Sequence, residues 1–280
     1  MQSSGISFPE ALSQSSGGFD GYAEFRNELI RTGDVSYITA GTTRARVVIE
    51  QNYLTAREKT YFRAELSEAL VEVPELLGRR LVSGSEIVTI YVYDIGKADR
   101  PVSTTAKFSD APNSWGIMLA YVKEGRAPLF HEVAHLSEPA ENFTRDHGSV
   151  SLSEGLAEWV EAYFCPGKAH GFTPADADAD ALAVRYIQKY PRAFVDGIGE
   201  PEPVLRFSSQ DVRIAFSLTS WSFVKFLVAN YGLSETAALV ADGGTSYERR
   251  FGKSLHVIRE QWLRSLERGK EPFTSGNAAI

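Results

Sequence analysis

At 280 residues the chain is longer than a typical single domain and shorter than two comfortable ones, and 43% hydrophobic with 23% charged residues is ordinary globular composition. A formal net charge of -7 argues against nucleic acid as a partner: phosphate backbones are held by clustered Lys and Arg, and the close basic clusters are the short pairs Arg79-Arg80 and Arg249-Arg250. A chain of this length buries roughly 75% of its unfolded surface and needs no staple to fold, so any metal is expected to serve chemistry rather than stability.

Residues 1–19 are rich in Ser and Gly and read as a tail. Tyr22, Phe25 and Leu29 recur at helical spacing before the stop signal Gly33. Val35 to Ala40 and Ala45 to Glu50, separated by Gly41-Thr42-Thr43, predict a hairpin. Helix formers run from Thr55 to about Leu77, with Phe62, Leu66, Ala69 and Leu70 on one face, and Pro74 is expected to break the segment. Glu86 to Tyr93 predicts a strand, Gly116 to Val122 another, and the Pro- and Ser-containing stretch between them a long loop. From Pro128 onward the pattern is helical, over 128–137, 152–164, 176–189, 211–230, 234–241 and 255–267, followed by a tail to residue 280. The organisation predicted is a mixed α/β N-terminal lobe over 20–137 and an α-helical lobe over 138–268 (class α+β), with tails at 1–19 and 269–280.

Cys165 stands alone, so no intramolecular disulfide forms, and it is expected in the core beside Phe164. Apolar stretches such as Ile87 to Tyr93 and Phe223 to Ala229 fall well short of the roughly 20 residues of a membrane span. The N-terminus has neither a basic nor an apolar leader region. The expectation is a cytoplasmic protein, or a secreted or periplasmic one if a leader has been removed.

The chemistry concentrates in two segments. His131-Glu132-Val133-Ala134-His135 is an H-E-x-x-H pattern in a helical setting. At i and i+4 both imidazoles lie on one face and can reach one ion, while Glu132 sits beside the first without having to ligate, as a general base must. Eighteen residues separate His135 from Glu154, in Ser151-Leu152-Ser153-Glu154-Gly155-Leu156-Ala157-Glu158-Trp159. Catalytic zinc commonly takes two His and one Glu, leaving the fourth position to water, so Glu154 is the candidate third ligand. Glu158, one turn later, is placed to accept the free ring N–H of a ligating imidazole and fix its orientation.

H-E-x-x-H, eighteen residues and E-G-x-A together resemble the gluzincin metallopeptidases, in particular the aminopeptidase-N-like branch and its peptidase MA-like relatives. The resemblance extends over about residues 35–268 and includes Ser222-Phe223-Val224-Lys225-Phe226-Leu227 with Tyr231-Gly232, and Phe251-Gly252-Lys253-Ser254-Leu255 with Gln261-Trp262-Leu263. It implies a thermolysin-like, two-lobe zincin fold, one zinc ion per chain, and hydrolysis of a peptide or protein substrate. Two departures stand out. Where that family places an intermediate-stabilising Tyr, this chain has Phe216 or Ser217, leaving Tyr231, Tyr247, His147 and His170 as substitutes. Where its aminopeptidases carry Gly-x-Met-Glu-Asn, this chain reads Gly116-Ile117-Met118-Leu119-Ala120, with Leu in place of the Glu that grips a substrate amino terminus. Gly116, Ile117 and Met118 are therefore expected to bind substrate by strand pairing, in an endopeptidase rather than an aminopeptidase. The alternatives are a zinc hydrolase of a small non-peptide substrate and a zinc-binding protein with impaired turnover.

Other patterns fail on inspection. Gly252-Lys253-Ser254 lacks the upstream Gly of a phosphate loop, having Tyr247 there, and Gly197-Ile198-Gly199 has Glu202 at the third Gly of a dinucleotide loop. Asp176-Ala177-Asp178-Ala179-Asp180 starts like a calcium loop but has Ala181 and Ile187 where Gly and Glu belong. It reads as an exposed loop or a helix start, where carboxylates meet the positive end of the dipole.

Overall fold

The computed structural model describes residues 22–81, 87–96, 104–108, 114–138, 149–190, 192–201 and 209–268. Both predicted tails, much of the predicted inter-strand loop, and His147 lie outside these. The chain divides into two compact units, Met1–Ser137 and Glu138–Ile280; the first is mixed α/β and the second, among the described residues, helical.

In the first unit, α1 (Ala23–Thr32) leads into β1 (Asp34–Ala40) and β2 (Thr43–Ile49), joined by a two-residue turn at Gly41-Thr42 and paired antiparallel. Gly41 has a positive φ of 58°, which a Cβ would strain. Then follow α2 (Ala56–Leu76), β3 (Val88–Val92), β4 (Thr104–Phe108), β5 (Ser114–Leu119) and α3 (Leu129–Leu136). The sheet order is β1-β2-β3-β5-β4, with β2, β3 and β5 parallel and β4 antiparallel to β5. β3 is buried at every residue and β2 from Val47 to Ile49, as expected where a parallel sheet is covered on both faces. Val48, Tyr91 and Met118 stand in one row across them and join Leu29 and Tyr93 in a cluster against Phe25 of α1. The neighbouring residues Val47, Ile90 and Ile117, and then Ile49, Val92 and Leu119, point the other way and are fully buried. At about 1.5–3 kcal/mol for each fully buried large apolar side chain, these rows hold α3 on a rigid base.

α2 shows both what the sequence pattern captures and where it errs. Thr55 accepts a hydrogen bond from the Glu58 N–H, the Glu58 carboxylate accepts from the Thr55 N–H, and this capping box starts the helix. Phe62, Leu66, Ala69, Leu70 and Val73 form its buried face. Pro74 does not break it: the helix runs on to Leu76. A proline this close to the end removes only one rung, and Leu77 N–H to Val73 O (3.0 Å) and Arg79 N–H to Pro74 O (2.9 Å) close the terminus around it. The second correction is β4, which falls inside the stretch expected to be a loop. The strand expected at Gly116–Val122 is placed two residues earlier and ends at Leu119.

The second unit consists of α4 (Val150–Phe164), α5 (Ala179–Lys189), α6 (Arg192–Asp196), α7 (Gln210–Tyr231), α8 (Leu233–Ala241), α9 (Tyr247–Phe251) and α10 (Leu255–Arg268). The five-residue α6 and α9 have no counterpart in the sequence reading, being too short to show a period. α7 packs against α4, α5, α8 and α10. It is the one described helix long and apolar enough to cross a membrane by length and composition, and 56% of its apolar window is buried in the fold, as befits a core helix. Ser149, Asp178 and Ser209 cap α4, α5 and α7 by accepting backbone N–H bonds. Asp178 thereby fills the helix-start role, while Asp180 accepts from Ser222 Oγ and Lys225 Nζ of α7, both at 2.7 Å.

Candidate metal centre

α3 follows Pro128, buries all eight of its residues and sits against α2, β4 and β5. Leu129, Phe130, Val133, Ala134 and Leu136 anchor it in apolar surroundings, and His131, Glu132 and His135 are buried with them. Polar groups taken out of water are costly unless they find partners, so three on one short buried helix draw attention to it. The helical repeat brings His131 and His135 edge to face, with ring centroids 4.8 Å apart, and their Nε2 atoms approach to 3.1 Å. Two nitrogens at 2.0–2.1 Å from a tetrahedral zinc stand about 3.3–3.4 Å apart, so the pair nearly has the spacing that one ion requires. Glu132 lies one turn before His135 and is only 4% exposed.

In the second unit, α4 presents Glu154 and Glu158. Its position is set by close contact with α7: a Cβ on Gly155 would stand 2.5 Å from the Ser220 carbonyl oxygen and 2.7 Å from Val224 Cγ2. Only glycine permits that approach. The half-buried Glu154 accepts at Oε2 from Ser217 Oγ of α7, at 3.3 Å. Next to it, Ser153 Oγ donates to the buried Glu138 at 2.7 Å.

Glu158 accepts at Oε2 from His170 Nε2 and from Thr173 Oγ1, both at 3.0 Å. His170 Nδ1 faces the Lys168 carbonyl at 3.4 Å. Both ring nitrogens of His170 thus face acceptors, which favours the doubly protonated imidazolium. Burial pulls the His170 pKa down, but the hydrogen bond and charge of Glu158, the charge of Glu161 and the Lys168 carbonyl outweigh it and hold it above the ordinary value. His170 and Thr173 also pair through backbone bonds, closing the turn that carries them.

Several residues named from the sequence have other engagements. Gly116, Ile117 and Met118 are buried in β5, bonded to β3 on one side and β4 on the other. β5 therefore offers no free edge for strand pairing, which corrects that expectation; the edges of this sheet are β1 and β4. Phe216 packs against Phe194 in the core of the second unit. The buried Tyr247 donates to the Gly199 carbonyl at 2.9 Å, and desolvation pushes its pKa well above the ordinary range. Tyr231 stacks on Phe251 and its hydroxyl donates to Gln261. Ser217 and Thr173 were not identified as site residues from the sequence. A lone hydroxyl side chain carries no spacing signal, and only the placement of α7 and of the 170–173 turn reveals them.

α3 thus offers a cation two imidazole nitrogens, and α4 one half-buried carboxylate. No family model matches the chain, and no curated protein matches it. Among solved structures the chain is similar to an M1 zinc metallopeptidase from Deinococcus radiodurans, a mutant bound to a Tyr-Ser-Ala substrate, at 12% identity and a TM-score of 0.45. The match covers 82% of this chain and 50% of that one, so this chain spans half the length of that structure. A likeness at this level fixes neither fold family nor activity.

Proposed function

We propose that the chain is a zinc-dependent metallopeptidase of the gluzincin type, with a thermolysin-like two-lobe fold and one zinc ion per chain. His131, His135 and Glu154 are its ligands, Glu132 the general base, and Glu158 the outer carboxylate that orients a ligating imidazole. The observation that carries this reading is the 3.1 Å approach of the two Nε2 atoms on a fully buried helix, joined to the eighteen-residue spacing from His135 to Glu154. The donor set of two imidazoles and one carboxylate suits zinc.

Zinc, when bound, supplies a Lewis acid that polarises the scissile carbonyl and acidifies water. The Glu132 carboxylate takes one proton from the attacking water as its oxygen bonds to the carbonyl carbon. The C–N bond then breaks, and Glu132 returns the proton to the departing amine nitrogen. The buried surroundings of Glu132 keep that proton from bulk water between the two transfers. Because Leu119 stands where an aminopeptidase would hold a carboxylate, internal cleavage of a peptide or protein is favoured over removal of its first residue.

One observation favours a second reading, a zinc-binding protein with impaired turnover. Phe216 lies in the core, and the hydroxyls of Tyr231 and Tyr247 already donate elsewhere. A survey of a mixed peptide library, with chelator and Glu132→Gln controls, decides between them. Cleavage that both controls abolish supports the peptidase. Zinc retention without cleavage supports the second reading, and turnover of small esters or amides alone would point to a non-peptide substrate.

A further inference from the structure

We infer that two copies of this chain pair antiparallel through the outer edge of β1, about a two-fold axis at Tyr37. β1 has β2 on one side and forms one edge of the sheet. Which of its backbone groups face outward follows from the hairpin. Gly41 has a positive φ and Thr42 does not, the pattern of a two-residue type II′ turn. Such a turn is closed by a pair that exchanges both of its hydrogen bonds, here Ala40 and Thr43. Bonded and non-bonded pairs alternate along an antiparallel ladder. Ile38, Ser36 and Asp34 therefore also bond inward to β2, while the N–H and C=O groups of Val35, Tyr37 and Thr39 point away from it. Among the described residues, no strand and no loop backbone bond meets them on that side.

Natural edge strands are commonly blunted by Lys, Pro, bulges or inward-pointing charges. β1 has none of these from Val35 to Ala40: its register with β2 is unbroken, and the one charge in the strand, Asp34 at its start, is tied to Lys59 of α2. Val35, Tyr37 and Thr39 are strong strand formers and are exposed on one face, the first two at 42% and 53%. The Arg44 guanidinium lies over the Tyr37 ring, 5.0 Å from its centroid, and draws the ring towards β2. This edge is complementary to itself. Antiparallel about Tyr37, Val35 meets Thr39 of the second copy, Tyr37 meets Tyr37 and Thr39 meets Val35, so that each outward pair exchanges both bonds. A register moved by two residues leaves one of the three unmatched. Asp34 then falls opposite Ala40, and no like charges face each other along the seam. Cross-strand pairs of aromatic and β-branched residues add to such a joint. The contact is isologous, as two-fold pairing requires, and a single pair of strands makes it small, which puts the dimer in the weak, reversible class.

Sedimentation equilibrium of the full-length protein tests this. The weight-average mass should rise from 30.9 kDa towards twice that value as the concentration is raised to about 1 mM, the weak end of the affinity scale. Tyr37→Lys sets two ammonium groups against each other on the axis. Tyr37→Pro removes the outward N–H and none of those bonded to β2. Both variants should keep the monomer mass throughout. Should the proline variant fail to fold, the lysine variant, at a side chain already exposed, is read alone. A short bis-maleimide should cross-link Tyr37→Cys to itself and leave Val35→Cys single, with the wild type, whose Cys165 is buried, as control. A wild type of constant mass over the whole concentration range would overturn the inference. So would association that Tyr37→Lys retains, or cross-linking of Val35→Cys in preference to Tyr37→Cys.

Discussion

α3 and α4 hold their polar residues in different ways. α3 has eight residues, begins at Pro128 without a side-chain cap, and buries every residue. Its two imidazoles meet because the helix places i and i+4 together. α4 has fifteen residues, is capped by Ser149, and has its carboxylates tied by groups from elsewhere in its unit: Ser217 from α7, and His170 and Thr173 from the turn that follows. The first arrangement is local and survives whatever preserves the helix. The second is assembled from remote parts and fails piece by piece. Substitution of Glu132 in α3 should therefore act on chemistry alone, and substitutions around α4 on affinity, stability and pH response.

The largest effect is expected from Glu132→Gln, whose amide cannot accept the water's proton. Peptide hydrolysis should fall by about 10²–10⁴-fold, the usual worth of a positioned general base, while zinc content and melting temperature stay at wild-type values. Near wild-type turnover would remove Glu132 from the base role.

Glu158→Ala should weaken zinc about 10- to 100-fold. It also removes the carboxylate that is hydrogen-bonded to the buried His170, leaving the more distant charge of Glu161, and should lower the melting temperature as well. Chelator competition and thermal melts read the two effects separately. A variant unchanged in both would return Glu158 to the ordinary helix carboxylates.

Gly155→Ala tests the crossing itself. The new methyl would meet the Ser220 backbone at 2.5 Å. Overpacking of this kind costs about 1–3 kcal/mol, against a gain in helix propensity of up to about 1 kcal/mol. The net expectation is a melting temperature lowered by a few degrees. A stabilised variant would show that the two helices do not depend on the glycine.

The smallest effect is a slope in pH. Because the folded-state pKa of His170 is raised above its unfolded value, the imidazolium contributes stability that is fully present below about pH 6.5 and is lost as pH rises through the folded value. Wild-type stability should decline across that window, and His170→Gln should lack the decline. Parallel profiles for the two proteins would exclude the ion pair.

The sequence made long-period features legible. The apolar face of α2 and the β1–β2 hairpin each express a period or a turn within one segment. β4 was missed because Thr104–Phe108 is five residues long, on a sheet edge and inside a Pro- and Ser-containing stretch. Pro74 misled because its cost depends on distance from the helix end, which the local sequence does not give. In the candidate site, the His131–His135 spacing was visible, while the bonds from Ser217 to Glu154 and from His170 to Glu158 were not. Those bonds join residues 63 and 12 positions apart, and tertiary packing alone brings them together.

Elemental analysis of protein purified without added metal tests the metal centre most directly. One zinc per chain, lost or strongly reduced in both His135→Ala and Glu154→Ala, is the expected result. A stoichiometry near zero in the wild type, unchanged by Glu154→Ala, would contradict the assignment of His131, His135 and Glu154 as ligands.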